Sequence, residues 1–251
     1  METTELYYPQ IAAAADGYSF TQGIEIEIYS AQNAYCDWAK LRFTEQYRPK
    51  LRLERRAPAS IRLGYNGILD EVFTGFVARR YDSGTSVNEV ELKDETLLLE
   101  ETRVSGAFQN ATPQEIISYC LSQAGISSMR LSSKPYPARR LLPVREQSVV
   151  EAINTVNAAW GLKVPFFFSG GTFYWDEKPE QAKQYTFEYG VNIIGLHRTG
   201  GVWELETVSA PFVRHSHRIN IVHPRISGEQ EVRKVVFTTN DSGFIRTYIY
   251  F

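Results

Sequence analysis

Cysteine, methionine and histidine are scarce in this chain, with two, two and four residues among 251. Cys36 and Cys120 form no Cys-x-x-Cys pair, and the start, Met1-Glu-Thr-Thr-Glu5, has neither the basic residues nor the apolar run of a secretory signal. Synthesis in the bacterial cytoplasm, without structural disulfides, is therefore expected. No apolar run approaches the roughly 20 residues that a membrane helix needs. Charge of one sign is lacking too: the net charge is −2 at pH 7, so no global field draws in nucleic acid or a lipid surface. Also missing are Gly-x-Ser-x-Gly, His-Glu-x-x-His, a Walker A loop and Gly-x-Gly-x-x-Gly after a strand, the marks of common hydrolases, metalloproteases and nucleotide binders.

What is present is apolar and aromatic. Hydrophobic residues make up 43%, enough for a packed core, and 15 Tyr and 14 Phe favour pleated surfaces. Ile24, Ile26 and Ile28 alternate with Glu25, Glu27 and Tyr29, the period of a strand with one buried face. Leu41 and Phe43, Leu51 and Leu53, and Ile61, Leu63 and Tyr65 alternate likewise. Asn66-Gly67 signals a hairpin before a strand at 72–81, and Asp82-Ser83-Gly84 precedes another at 87–92. Five or six short strands between turns predict a barrel or sandwich. Strand-like sequence returns at 185–189, 191–197, 202–208, 217–222, 232–238 and 244–250, with turns at Thr199-Gly200-Gly201 and at 240–243.

The middle of the chain reads differently. Thr112 can cap a helix, Pro113 suits its first position, and Glu115 completes a capping box. Ile116, Ile117, Cys120, Leu121 and Ala124 then share one face, which makes Cys120 a small core residue, and Gly125 ends the helix. Ser148 and Glu151 repeat the box, followed by Val149, Ala152, Ile153, Val156 and Trp160 as an apolar stripe and Gly161 as terminator. An apolar run at 162–168, a Ser169-Gly170-Gly171 turn and a strand at 172–176 add a hairpin. A small α/β unit inserted between two β regions is predicted.

Charge is segregated along the chain. Lys40, Arg42, Arg48, Lys50, Arg52, Arg55, Arg56 and Arg62 stand against only Glu45 and Glu54, while acids gather at Glu89, Glu91, Asp94, Glu95, Glu100 and Glu101. Alternation sets Lys40, Arg42, Lys50 and Arg52 opposite the apolar residues, so strands with one basic face are expected across 40–62. Such opposition suits complementary faces between subunits, the lining of a channel, or simply solvated strand faces.

Several residues are candidates for chemistry. His215 and His217 would share a strand face and could hold a metal with His223 or Asp241, but Arg214 and Arg218 flank them with repelling charge. Glu95, Glu100 and Glu101, or Asp176 and Glu177, would be the carboxylates of a glycosidase, yet adjacent acids in turns are ordinarily solvated charge. Phe43 and Tyr47 within the basic stretch suggest single-strand nucleic-acid binding, but they fall at core positions. Gly161, Gly170 and Gly171 beside Trp160 and Trp175 are explained by a helix end and a turn. No catalytic residue, metal or cofactor is expected.

The order of parts resembles that of phage baseplate hub proteins, the hubs of Mu-type and other contractile tails, related to late control protein D. The resemblance runs through Ser60-Ile-Arg-Leu-Gly-Tyr-Asn-Gly67 and Val72-Phe-Thr-Gly-Phe-Val77, then Leu92-Lys-Asp-Glu95 with Thr102-Arg-Val104. It continues in Phe108-Gln-Asn-Ala-Thr-Pro-Gln-Glu-Ile-Ile117, Gln123-Ala-Gly-Ile126, Ser148-Val-Val-Glu-Ala-Ile-Asn154, Trp160-Gly-Leu162 and Gly171-Thr-Phe-Tyr-Trp175. Ser209-Ala-Pro-Phe-Val-Arg-His-Ser-His217, Val232-Arg-Lys-Val-Val236 and Asp241-Ser-Gly-Phe244 close it. It implies a mainly β chain with an inserted α/β unit: a tube-like β-barrel domain at 1–103, a small α/β domain at 104–183 and a second tube-like barrel at 184–251. It further implies a non-enzymatic homotrimer, a pseudo-sixfold ring between tail tube or tube initiator above and spike protein below, assembled into a virion tail or phage-tail-like particle. DNA would pass through its channel without specific binding, and no membrane is involved. The charges expected at the subunit interface or lumen are Arg48, Lys50, Arg52, Arg55, Arg56, Glu89 and Glu91. The alternative is a cell-wall- or carbohydrate-binding β module, hydrolytic or not towards peptidoglycan, which would be a monomer with a concave aromatic or acidic cleft.

Overall fold

The computed structural model describes residues 7–32, 34–83, 86–240 and 244–251. The chain start 1–6, Gly84 and residues 241–243 lie outside the described residues, and with them part of two expected turns and the candidate ligand Asp241. The chain forms two compact units, Met1–Asp94 with Pro179–Phe251, and Glu95–Lys178.

In the first unit the strands are β1 (Pro9–Ala15), β2 (Tyr18–Phe20), β3 (Ile24–Ala31), β4 (Trp38–Phe43), β5 (Pro58–Tyr65), β6 (Ile68–Ser83) and β7 (Ser86–Lys93). The second unit contributes α1 (Thr96–Glu101), β8 (Arg103–Ala111), α2 (Pro113–Gln123), β9 (Met129–Leu131), β10 (Arg139–Ser148), α3 (Val149–Trp160), β11 (Phe166–Ser169) and β12 (Thr172–Trp175). The first unit resumes with β13 (Tyr185–Glu188), β14 (Ile193–Thr199), β15 (Val202–Val208), β16 (Arg218–His223), β17 (Ile226–Glu231), β18 (Lys234–Thr239) and β19 (Ile245–Tyr250).

Eleven strands of the first unit make one sheet in the order β14-β15-β19-β18-β3-β4-β7-β6-β5-β1-β2. The joint between early and late strands is the antiparallel pair β3–β18, from Ala31 against Lys234 to Glu27 against Thr238. Strands expected to build two separate barrels are thus hydrogen-bonded into a single sheet, and no sheet among the described residues closes on itself. The physical reason is that the buried stripes of β3 and β18 complete one another: Ile24, Ile26, Ile28, Val235 and Phe237 belong to one continuous core. The smaller sheet β13-β16-β17 adds Phe187, Ile219 and Ile221 to that core.

The alternation predicted strands well where a neighbour was available. Asn66 and Gly67 take the left-handed φ values 54° and 82° that a two-residue hairpin turn requires, and β5 and β6 pair up to it. Leu51 and Leu53 are the exception, being buried at 1% exposure outside any strand. Their loop, residues 44–57, plugs the core with two leucines; its backbone bonds partly to itself, Lys50 N–H to Tyr47 and Ala57 N–H to Glu54, and partly to β6, Arg56 N–H to the Val77 carbonyl. β1 escaped notice because Ala12 to Ala15 carry no β preference; pairing with β5 overrides it.

The second unit packs α2 and α3 against a ribbon, β8–β10, and a three-stranded sheet, β11-β12-β9. Both capping boxes form: Thr112 with Glu115, and Ser148 with Glu151. Gly161 closes α3 at φ 66°, a conformation only glycine adopts without strain. Ile116, Ile117, Cys120 and Leu121 are fully buried with Val149, Ala152, Ile153 and Val156. Trp160 is only half-buried, packed at the margin of this core; its Nε1 donates to the Pro137 carbonyl at 2.8 Å. Replacing Ile117 by Ala should cost about 2–5 kcal/mol in chemical denaturation, the range for deleting a buried branched side chain. A loss below about 0.5 kcal/mol would mean that this side chain does not support the core.

Candidate assembly surfaces

Because β3, β4, β7 and β6 lie side by side with alternate residues buried, their other face presents a ladder of charge. One row across the strands reads Glu27, Lys40, Glu91, Arg79, and the next reads Glu25, Arg42, Glu89, Tyr81. Each charge faces its opposite, the arrangement that fixes sheet register instead of opposing it. The Arg42 Nε bonds Glu89 at 2.6 Å, raising the Arg42 pKa, and its Nη1 lies 3.8 Å from Glu25. The Tyr81 hydroxyl donates to Glu91 at 3.1 Å. A hollow of about 130 Å³ opens between β3, β4 and β18, with Glu25, Glu27, Lys40 and Arg42 at its rim. Next to it Tyr29 stacks on Trp38, rings 5.4 Å apart and 2° from parallel. Lys40 lies over Trp38 and Lys234 over Tyr29 and Tyr250. Exposed pairs of this kind each contribute at most about 1 kcal/mol, so the ladder sets register and charge balance more than stability.

The expected site residues divide between two places. Arg48, Lys50, Arg52, Arg55 and Arg56 all lie on the 44–57 loop, not on strands with one basic face. Arg48 is half-buried and its Nε donates to the Phe43 carbonyl at 2.7 Å, whereas Lys50, Arg52, Arg55 and Arg56 are exposed. Glu89 and Glu91 lie on β7, where their counter-charges and hydroxyl partner come from β4 and β6 of the same chain. Sequence reading missed this intrachain match because it depends on β4 pairing with β7, some 50 residues apart, and on nothing local.

The histidines do not share a strand face. His215 and Ser216 form a turn before β16; the His215 Nδ1 lies 3.0 Å from the Ser216 hydroxyl, and the His217 Nδ1 accepts the Arg214 N–H at 3.2 Å. Among the described residues no three His, Cys, Asp or Glu side chains cluster as metal ligands. Arg214, instead of merely flanking them, turns its guanidinium to the carbonyls of Pro211, Val213 and Glu71. Burial lowers its pKa, while Asp70 and Asp37 draw it back up. Nearby, Asp37 is pushed well above the usual carboxylate range by burial and by Asp94, whose carboxylate accepts the Asp37 N–H at 3.0 Å. Burial, then Arg214, hold the His217 imidazole down at about 4. Asp176, considered as a catalytic acid, binds Lys134 at 2.7 Å and accepts from Ser132 and Tyr136, which pins the loop after β9. No helix among the described residues is long and apolar enough to cross a membrane.

The chain is mainly β, with one broad open sheet and a compact α/β unit. No protein-family model matches the sequence, and no curated protein matches it. Solved structures do match. The 43 kDa tail protein of prophage MuSo2 from Shewanella oneidensis superposes with a TM-score of 0.75 over 98% of this chain and 98% of its own, at 12% identity. The tail protein from Neisseria meningitidis MC58 follows at 0.68, over 97% and 96%, at 11% identity. A component of the Escherichia coli type VI secretion system, described as structurally similar to the T4 bacteriophage tail proteins gp27 and gp5, matches at 0.66 over 90% of this chain and 72% of that one, at 12% identity. The chain therefore has the fold of these tail proteins.

His217 gives this region a measurable pH dependence. An imidazole at about 4 in the folded chain and near 6.5 unfolded binds more protons unfolded between those values. Its contribution is therefore fully present above about pH 6.5 and is lost as the pH falls towards 4. Asp37, raised on folding, contributes the opposite slope, so the difference between parent and variant is the quantity to read. In His217→Gln, denaturant midpoints should fall less steeply between about pH 6.5 and 4 than in the parent. Identical slopes would mean that His217 titrates normally.

Proposed function

We propose that the chain is a structural baseplate hub protein of a contractile phage tail or related particle, a homotrimer forming a pseudo-sixfold ring between tail tube and central spike. The observation that carries this reading is the fold match to a prophage tail protein over nearly the whole of both chains. The match to a type VI secretion component supports a place beside tube and spike proteins. In this reading residues 1–103 and 184–251 supply two tube-like, ring-forming halves, with 104–183 between them. The ring assembles into a tail or tail-like particle and acts as a scaffold, not an enzyme. The charge ladder suits a surface that polyanions pass without adhering, since its acids and bases already face one another. Lys50, Arg52, Arg55 and Arg56 on the exposed loop, with Arg48 at its base, are the proposed contacts to a neighbouring subunit or to the channel. Glu89 and Glu91 would be shared between Arg42, Tyr81 and that neighbour.

Light scattering at high protein concentration and moderate salt should give the mass of three chains, with each subunit pair burying more than about 1,600 Å². A monomer throughout, also in the presence of tube and spike proteins from the same particle, would overturn the ring. Reversing Arg52 and Arg55 to Glu should either dissociate the ring, rescued by Lys at positions 89 and 91, or leave it intact with altered delivery. No change in assembly or delivery would remove these arginines from the interface and the lumen.

A further inference from the structure

From Thr102 to Arg145 the chain carries a single acid, Glu115, against Arg103, Arg130, Lys134, Arg139, Arg140 and Arg145. Glu115 is committed to its capping box, Lys134 to Asp176 and Arg103 to Glu151. Three of the remaining arginines fall on β10, which pairs only with β8 in a two-stranded ribbon. One face of this ribbon, through Val104, Leu142 and Val144, is buried on the helices. Among the described residues of this unit no strand or helix pairs with or packs on the opposite face. Leu141 stands at its centre, 53% exposed, paired across to Gln109; Pro143 pairs to the exposed Ala107. Arg139 and Arg145 lie at the two ends of this apolar strip, both exposed; Arg140, also exposed, falls on the register of Leu142 and Val144 instead. Among the described residues none of these three has a carboxylate partner. Glu146, in the bulge beyond Arg145, has Arg103 at its own carbonyl.

We propose that this outer ribbon face docks a segment of another protein that is acidic at its ends and apolar at its centre. An apolar strip rimmed by uncompensated charge is the pattern of a protein contact, because a solvated face gains nothing from Leu141. The arginine at one end is held in place: Arg139 lies 5.5 Å from the Trp160 ring centroid, which lowers the entropy lost when it binds. The open edge of β10 is unsuited to accept an added strand, since Pro143 has no N–H to offer. The partner therefore lies across the face and reads side chains. Nucleic acid fits less well, because no aromatic ring lies on this face to stack a base. Trp160 is covered by Arg139, and Tyr119 is set edge-on to Phe108. This surface belongs to the second unit alone and does not depend on ring formation.

The test is fluorescence anisotropy with the full chain and three labelled probes, at about 50 and about 300 mM salt. The probes are the peptide Glu-Asp-Leu-Phe-Asp-Glu, the same peptide with Ser-Ser at its centre, and an oligothymidylate of about twenty nucleotides. The apolar-centred peptide should bind best, the Ser-Ser peptide at least about fivefold more weakly, and the oligonucleotide more weakly than either. Arg139→Glu with Arg145→Glu should abolish binding of both peptides, and Leu141→Ser should erase the difference between them. Lys163→Glu with Arg198→Glu, the same change of net charge on other exposed positions, should leave binding within about twofold. Thermal melts confirm that each variant folds. Tighter binding of the oligonucleotide, equal binding of the two peptides, no binding of either peptide, or an equal loss in the control variant would each overturn the proposal.

Discussion

The antiparallel ladder between β3 and β18 joins segments some 200 residues apart, and the broad sheet exists only because it forms. Its backbone bonds are reinforced at both ends. The Gln32 N–H donates to the Arg233 carbonyl at 3.0 Å, and the Ile26 N–H donates to the Thr239 hydroxyl at 3.0 Å. Removing it would leave β3 and β18 as two bare edges and divide one core into two smaller ones, each burying a lower fraction of its surface. The ladder also brings the chain back beside its own first strands. Closing so long a loop costs entropy only logarithmically in its length, so the penalty at equilibrium is modest while the kinetic cost falls on folding.

On the exposed side of this sheet, pairing decides what charge means. Arg42 and Glu89 belong to oppositely charged stretches of sequence, yet they meet at 2.6 Å within one chain. The segregation visible in the sequence is partly consumed by sheet formation. Exposed basic residues outside that sheet face are concentrated in two places: the loop of Lys50, Arg52, Arg55 and Arg56, and the ribbon of Arg139, Arg140 and Arg145. The first exposes polar side chains and buries its two leucines, whereas the second flanks an exposed leucine, so the two suit different contacts. Buried charge is handled differently, with Arg214 held by backbone carbonyls and Asp37 beside Asp94. These groups tie loops to the core.

The parts legible in the sequence were those governed by neighbours a few residues away. Helices α2 and α3 could be placed because Thr112-Glu115 and Ser148-Glu151 satisfy their own first turns and Gly161 closes the second, whereas the short α1, with no side-chain cap bond, was not expected. The buried faces of β3, β4 and β5 followed from period-two alternation. The order of motifs was enough to suggest the tail-protein fold that the structural matches support. Alternation could not say which strand lies beside which. It therefore gave Leu51 and Leu53 a strand they lack, passed over the alanine-rich β1, and pointed to two barrels where the strands form one open sheet. Tertiary structure alone decided the β3–β18 joint, the pairing of Glu89 with Arg42, and the bare outer face of the β8–β10 ribbon. Each depends on hydrogen bonds between residues far apart in the chain, and local patterns carry no information about register between distant strands.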